Sequence, residues 1–270
     1  MAGGAITAAR ALVEEHRRGA TFRPFAATFG IACVADAYAV QREYVRLEMR
    51  ERGTGVAGYK VGLTARRMQQ MCGIDSPIAG VVLRDRVYAS GVHLNAAAYG
   101  RVGLEFEIAV RLGRDLALDG GAPARAPAAP AVIAAVAEAV DAVCPAIEII
   151  DDRRADYAGL EILSLIADNA WNAGIVLGPF ARIWPDLAAL AGTIAADGAI
   201  IDRGSGRDVL GHPLQSVAWL AGHLAETGTT LRAGDVVMTG NLATTKFPER
   251  RSDYRFDLLG LGAVEVSIEA

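Results

Sequence analysis

Leu104-Glu105-Phe106-Glu107-Ile108-Ala109-Val110 and Pro145-Ala146-Ile147-Glu148-Ile149-Ile150-Asp151 are the two stretches on which the fold turns. In the first, Leu104, Phe106, Ile108 and Val110 alternate with Glu105, Glu107 and Ala109, the two-residue period of a strand. Glu105 and Glu107 therefore project from one face, and the opposite face is wholly apolar. Taken alone, such alternation describes a sheet with one wet side. The second stretch does not alternate. Glu148 lies inside an apolar run of the kind that forms a strand buried on both faces. A buried ionised carboxylate costs several kcal/mol unless it is paired or binds a cation. An arginine or a divalent ion can meet that charge. Three carboxylates with no clustered His or Cys favour a hard cation, Mg²⁺ or Mn²⁺, with water completing the shell.

Working outward, further strands are expected near 174–177, 192–201, 235–239, 255–259 and 263–268. One helix, 213–226, stands among them. Pro213 suits its first turn, Leu214, Val217, Ala221 and Leu224 make its apolar stripe, and Gly228 ends it. An Ala-, Gly- and Pro-rich loop over 117–130 and a helix over 131–143 link the two opening stretches. Toward the N-terminus, helices are expected over 6–18 and 36–52, the second with Asp36 as N-cap and Gly53 as stop. A strand over 57–63 follows, then a short helix capped by Thr64 and ending at Gly73, then short strands and turns through 77–91. Many short strands with few helices make this an α+β chain: a small N-terminal α/β segment, 1–85, and a β-rich domain, 86–270.

Composition bounds the function. The chain has 270 residues, a net charge of −4, 52% hydrophobic residues and a mean hydropathy of +0.26. That supports a sizeable core and excludes a disordered linker. The mild acidity argues against nucleic acid or an anionic membrane as partner. The most apolar run, Ala126 to Ala137, is broken by Pro127 and Pro130 and is shorter than the ~18 residues of a membrane span. The N-terminus lacks the basic-then-apolar order of a signal peptide. Cys33, Cys72 and Cys144 are far apart and read as reduced thiols of a cytoplasmic protein.

There is no GxSxG, HExxH or P-loop motif. Gly204-Ser205-Gly206 reads as a hairpin turn, His16 and His223 as helix-surface residues, and His212 as a helix cap. Trp171, Trp184 and Trp219 read as core or interface anchors. Of 27 basic residues only Lys60 and Lys246 are lysines. In an arginine-rich background a retained lysine points to its compact, titratable amine. Lys60 sits in Gly58-Tyr59-Lys60-Val61-Gly62-Leu63, where a half-buried amine is suited to pair with an acid, to bind an oxyanion or to move a proton.

Five separated motifs then occur in order: Ala39-Val40-Gln41-Arg42-Glu43-Tyr44; Gly58-Tyr59-Lys60-Val61-Gly62-Leu63-Thr64; Glu105-Phe106-Glu107-Ile108-Ala109; Pro145 to Asp151; and Ala167-Asp168-Asn169-Ala170 with Ala173-Gly174. Gly211-His212-Pro213, Val217 to Ala221 and Gly260 to Val264 extend the pattern. From about residue 36 onward the chain resembles the 2-keto-4-pentenoate hydratase family of the fumarylacetoacetate hydrolase superfamily, which includes 2-oxohept-4-ene-1,7-dioate hydratases and 4-oxalocrotonate decarboxylases. The resemblance implies a mixed β-roll or flattened barrel, preceded by a small N-terminal α/β segment. It implies an Mg²⁺ or Mn²⁺ site at Glu105, Glu107 and Glu148, with Lys60 and Asp85 as catalytic residues. It sets Leu63, Asp168, Asn169 and Thr239 against the substrate, with no chemical role assigned to Asp168 and Asn169.

The implied substrate is a small 2-oxo or 2-hydroxy-dienoic acid from the meta-cleavage catabolism of aromatic compounds. The implied assembly is a homo-oligomer, often of pentameric rings (pentamer or decamer), open to complex formation with a pathway partner enzyme. Hydration is the leading activity. Decarboxylation, C–C hydrolysis or tautomerisation of acylpyruvates, and an inactive scaffold are the alternatives. Two segments depart from the family pattern. Pro77-Ile78-Ala79-Gly80 stands where the family often has Pro-Asp-Tyr-Gly, and Asn241 to Phe247 stands where it has a proline-rich stretch.

Overall fold

The computed structural model describes residues 2–118 and 127–269. Helices α1 (Ala2–Arg17), α2 (Ala26–Phe29) and α3 (Val34–Arg52) precede β1 (Val56–Gly62), α4 (Arg66–Met71) and β2 (Ile78–Leu83). Short strands β3 (Val87–Ala89) and β4 (Val92–Asn95) lead to the long strand β5 (Val102–Leu112). Next come α5 (Pro130–Ala139), β6 (Val140–Asp151), α6 (Ile162–Ala167), β7 (Asn172–Leu177), β8 (Ala191–Ala196), β9 (Ala199–Ser205) and α7 (Pro213–Ala225). The chain closes with β10 (Val236–Asn241), β11 (Ser252–Leu258) and β12 (Gly262–Glu269). Two mixed sheets result, one of seven strands in the order β2-β1-β10-β5-β6-β7-β3 and one of five in the order β4-β12-β11-β8-β9.

The apolar face of β5 joins the sheets. Leu104, Phe106, Ile108 and Val110 have no exposure, and the Phe106 ring lies 5.8 Å from that of Phe256 on β11. The carboxylate face of β5 looks the other way, into the hollow of the seven-stranded sheet. That sheet is strongly curled. β1 and β6 are three places apart in it, about 14 Å if the sheet were flat. Yet the Lys60 ammonium on β1 stands 3.2 Å from Glu148 on β6. The curl also brings the two flanks together. Val81 of β2 donates its N–H to Asn169 Oδ1 at 2.8 Å, and Asn169 Nδ2 donates to Val81 O at 2.9 Å. Asn169, three residues before β7, thus takes the place of a neighbouring strand. Among the described residues neither sheet closes into a barrel.

The rest of the β2 edge is covered from α3. Ala79 donates its N–H to Tyr38 Oη at 2.9 Å, and Gln41 Nε2 donates to Ala79 O at 2.8 Å. An open edge would leave those backbone groups without partners. Asn169, Ala170 and Trp171 run consecutively with φ of 51°, 49° and 59°. Left-handed non-glycine residues are strained. Asp168, fully buried, anchors this turn by bonds to His16 Nε2 and Arg153 Nη2, both at 2.6 Å.

Several expectations change. The helix expected over 131–143 ends at Ala139, because Val140 onward pairs with β5 in register. The strand expected over 192–201 is a hairpin, β8 and β9, turning at Asp197 (φ 50°) and Gly198 (φ 80°), the Asp-Gly signal of a tight turn. Gly204-Ser205-Gly206 is no hairpin turn. It ends β9, and a Cβ on Gly206 would lie 1.8 Å from Leu187 O. Ala65, not Thr64, precedes α4, and Cys33, not Asp36, precedes α3. His16 is tied to Asp168 rather than lying free on the surface, and His223 stacks on Trp219 and Tyr38. The division near residue 85 cuts through the large sheet, since β1 and β2 pair within it. Most of the loop expected over 117–130 lies outside the described residues. No helix among the described residues is long and apolar enough to cross a membrane.

Asn169→Ala removes two hydrogen bonds and leaves the Val81 N–H and C=O without partners, each worth about 1–3 kcal/mol when buried. The expected outcome is a melting temperature lower by several degrees and faster hydrogen exchange at the Val81 amide. Unchanged exchange there would mean that the Asn169 strap does not hold the curl.

Candidate metal centre

Glu105 and Glu107 share one face of β5, and Glu148 stands directly opposite Glu105 in the β5–β6 register. Like charges so placed repel. One oxygen from each of the three lies within 4.8 Å of the others. Glu107 and Glu148 have no solvent exposure, and Lys60 has 4%. Each carboxylate is held by one oxygen. Thr245 Oγ1 donates to Glu105 Oε1 at 2.7 Å, the Gly240 N–H to Glu107 Oε2 at 2.8 Å, and Asn172 Nδ2 to Glu148 Oε1 at 2.9 Å. Lys60 Nζ shares that last oxygen at 3.2 Å. Glu107 Oε1 and Glu148 Oε2 are buried with no hydrogen-bond partner.

Orphaned buried oxygens are rare in folded proteins and ask for a ligand. Three carboxylates against one ammonium leave a formal charge of −2, which a divalent ion neutralises. No arginine among the described residues pairs with any of the three. An all-oxygen set with two free lone-pair positions fits a hard cation.

The electrostatics agree. Burial, reinforced by Glu148 and Glu105, pushes the Glu107 pKa well above the ordinary carboxylate value. Burial also lifts Glu148, to about 7, although Lys60 opposes the shift. Burial works against the Lys60 ammonium, but Glu148, Glu105 and Glu107 outweigh it and keep its pKa above the ordinary lysine value. Without a metal, one ammonium faces three carboxylates, and protons make up the difference.

Backbone details aim these groups. Gly240 (φ 123°) leaves no room for a side chain, because a Cβ there would lie 2.5 Å from Thr64 Oγ1. A Cβ on Gly80 would come within 3.1 Å of Lys60 Cγ and 2.8 Å of Asn169 O, and one on Gly62 within 3.3 Å of Lys60 Nζ. Lys246 pins the segment that carries Thr245. Its backbone pairs with Leu104, and its ammonium reaches Asp202 at 2.5 Å and Thr244 Oγ1 at 2.7 Å.

Of the residues singled out in the sequence, Glu105, Glu107, Glu148 and Lys60 come together. Thr239 is buried beside them, and its hydroxyl donates to Ile108 O at 2.8 Å. Leu63 (φ 54°) turns the chain out of β1, and its carbonyl accepts from Gln69 Nε2. Asp168 and Asn169 bond to α1, Arg153 and β2 rather than to the carboxylates. Asp85 is engaged by Arg52 at 2.5 Å. Asn172, Gly240 and Thr245 escape sequence reasoning. Only Asn172, one residue before Ala173-Gly174, lies within a quoted motif.

A sequence model described as the fumarylacetoacetate (FAA) hydrolase C-terminal family matches residues 60–269. The chain belongs to the fumarylacetoacetate hydrolase family. It is 36% identical over 259 residues to a 2-keto-4-pentenoate hydratase of Burkholderia vietnamiensis, covering 95% of this chain and 94% of that one. It is 33% identical over 239 residues to a 2-oxo-hept-4-ene-1,7-dioate hydratase of Escherichia coli, covering 86% and 85%. Among solved structures it superposes on 4-oxalocrotonate decarboxylase from Pseudomonas putida G7, complexed with magnesium and adipate, with a TM-score of 0.89 and 27% identity over 99% of this chain and 98% of that one. The family's fold is thus confirmed.

A carboxylate whose pKa is raised on folding adds stability below its unfolded value, near 4.3, and loses that contribution as pH rises through the folded value. For Glu148 that loss begins above the unfolded value and is complete just above about pH 7. The metal-free protein should therefore lose stability from this cluster between about pH 5 and 8, and Mg²⁺ should restore more of it at pH 8 than at pH 5. Melting curves with EDTA and with Mg²⁺ check this. An Mg²⁺ effect independent of pH would place the ion elsewhere.

Proposed function

We propose that this chain is a metal-dependent hydratase that adds water to a 2-hydroxy-2,4-dienoate, through its 2-oxo-enoate form, in aromatic catabolism. The observation that carries the reading is the pair of orphaned oxygens on Glu107 and Glu148 beside a charged, buried Lys60. Mg²⁺ or Mn²⁺ held by Glu105, Glu107 and Glu148 would act as a Lewis acid toward the C2 oxygen of a 2-oxo acid. Overall, the dienol gives up its C2 O–H proton and gains one at C5. Water then places its hydroxyl at C4 and a proton at C3. Lys60 is the hydrogen-bond donor for the C2 oxygen and the carrier of a proton. Ile78, buried and 3.4 Å from the Cβ position of Gly62, gives the space beside Lys60 an apolar wall. Leu63 and Thr239 border the substrate. Asp168, Asn169 and Asp85 act through the scaffold.

One further reading has its own support. Ile78 supplies no acid beside Lys60, and the decarboxylase superposes with a TM-score of 0.89. Decarboxylation of a vinylogous 2-oxo acid draws on the same electron sink. Association of several copies belongs to the reading as well, and exposed Ile183, Ile200, Ile201 and Leu259 are in keeping with such contacts. The three free cysteines suit a cytoplasmic setting.

With Mg²⁺ and 2-hydroxypenta-2,4-dienoate or its seven-carbon dioate homologue, dienol absorbance should fall and a 4-hydroxy-2-oxo acid should accumulate. Carbon dioxide release from an oxalocrotonate-type acid without hydration would replace the hydratase by the decarboxylase. Lys60→Arg keeps the charge but not the compact amine, and turnover should fall roughly 10²-fold or more. Glu107→Gln should weaken Mg²⁺ binding, measured by calorimetry. An unaltered rate in the first variant would make Lys60 structural.

A further inference from the structure

Arg101 stands at the entrance to β5, four residues before Glu105. Its guanidinium joins two other segments to that strand. Nε lies 2.9 Å from Asp152 Oδ1 and 3.0 Å from Oδ2, and Nη2 donates to Asp152 Oδ2 and to Ala155 O. Both acceptors belong to the connection from β6 to α6. The guanidinium carbon is 4.8 Å from the centre of the Phe247 ring, on the connection from β10 to β11, and 5.8 Å from that of Tyr157. The Tyr157 hydroxyl donates to Asp152 Oδ2 at 3.1 Å. Asp152 has no solvent exposure, and Arg101 is the only cation paired with it among the described residues. A planar fork with a flat face can grip a carboxylate and stack on rings at once, which an ammonium cannot do.

Each segment gathered in this way leads to a group that fastens a carboxylate of the metal centre. Phe247 lies two residues after Thr245, whose hydroxyl holds Glu105. Thr245 belongs to no strand. Lys246 bridges to Leu104 just beyond it, and Phe247 then meets Arg101. On the other side, Tyr157 packs edge-on against Trp171 with ring centres 5.8 Å apart, and Trp171 directly precedes Asn172, which holds Glu148. Trp171 (φ 59°) ends the strained left-handed run, so its packing between Tyr157 and Phe22 steadies the direction in which Asn172 leaves that turn. Glu105 is the one carboxylate of the three that is not fully buried, so the core alone does not hold it in place.

We propose that Arg101 is a positioning residue for the metal centre. It clamps the connections after β6 and after β10 onto Asp152 and two aromatic rings. Thr245 and Asn172 are thereby set so that Glu105 and Glu148 each keep one oxygen for the ion. Arg101 itself pairs with none of the three carboxylates. The proposal rests on the metal centre of the hydratase reading and adds to it what holds that centre in shape.

Mg²⁺ binding to the metal-free protein, measured by calorimetry, tests this without turnover. Arg101→Lys keeps the charge beside Asp152 but loses the fork and the flat face. In this variant, shown by its melting curve to be folded, Mg²⁺ affinity should fall about tenfold, the lower end of what partners around a metal site cost when removed. Thr245→Val weakens binding in its own right. Because Arg101 acts through Thr245, the loss in the double variant should be at least threefold smaller than the product of the two single losses. A merely structural role would lower the melting temperature and leave the affinity of the folded protein unchanged. That result, or losses that simply multiply, would overturn the proposal. If Arg101→Lys does not fold, Phe247→Leu and Tyr157→Phe leave the Arg101–Asp152 pair in place, and each should weaken Mg²⁺ binding about threefold. Unchanged affinity in both would overturn it. Failure of the unaltered protein to bind Mg²⁺ would remove the metal centre and the proposal together. Mg²⁺ binding that depends on Arg101 in a protein that hydrates no dienoate would count against the hydratase reading alone.

Discussion

Glu105, Glu107 and Glu148 gather around one buried ammonium, and the balance of charge there constrains the rest of the chain. A sheet cannot hold three facing carboxylates at close quarters on its own. Here each is fastened by one oxygen to a donor from a different segment: Thr245 after β10, Gly240 within β10, and Asn172 at the start of β7. Fastening one oxygen leaves the other to a cation. The donors must therefore be carried to the site from two separate parts of the chain, Asn172 and the stretch from Gly240 to Thr245, and the fold is arranged to do that.

The curl of the seven-stranded sheet is the device. It lets Lys60 reach across to Glu148, and it requires something to hold the flanks together. Asn169 does so by standing in for a strand against Val81, and Asp168 holds the strained turn that presents it. Against burial, His16 and Arg153 keep the Asp168 pKa below the ordinary carboxylate value, so its charge is retained where the turn needs it. The N-terminal helices therefore share in the catalytic architecture. α1 supplies His16, and α3 supplies Tyr38 and Gln41 to the β2 edge. The same scaffold explains Lys246, whose two contacts steady the segment bearing Thr245.

Much of this was legible beforehand. The period-2 pattern of β5 and the acid inside the apolar run of β6 identified the carboxylates, and the scarcity of lysine marked Lys60. Local signals failed where pairing overrode them. Val140 to Val143 reads as helix by composition but is held as strand by β5. The break between β8 and β9 lies at Asp197-Gly198, a turn signal set in an otherwise largely apolar run that reads as one strand. Asp168 and Asn169 stood out as a motif, but His16 lies 152 residues from Asp168 and Val81 lies 88 from Asn169, so no spacing could reveal that they brace the sheet.

By itself the sequence determined which side chains are acidic on a buried strand and that their charge needs a partner, and its ordered motifs carried the resemblance to the family. The first two follow from periodicity and the energy of burying charge, both of which are local. Only the tertiary structure decided which oxygens are held and which are left over. It also decided that Asp85 serves Arg52. Such matters depend on the curl of a sheet whose neighbouring strands β1 and β10 come from opposite ends of the chain, and no local pattern encodes a distance across it.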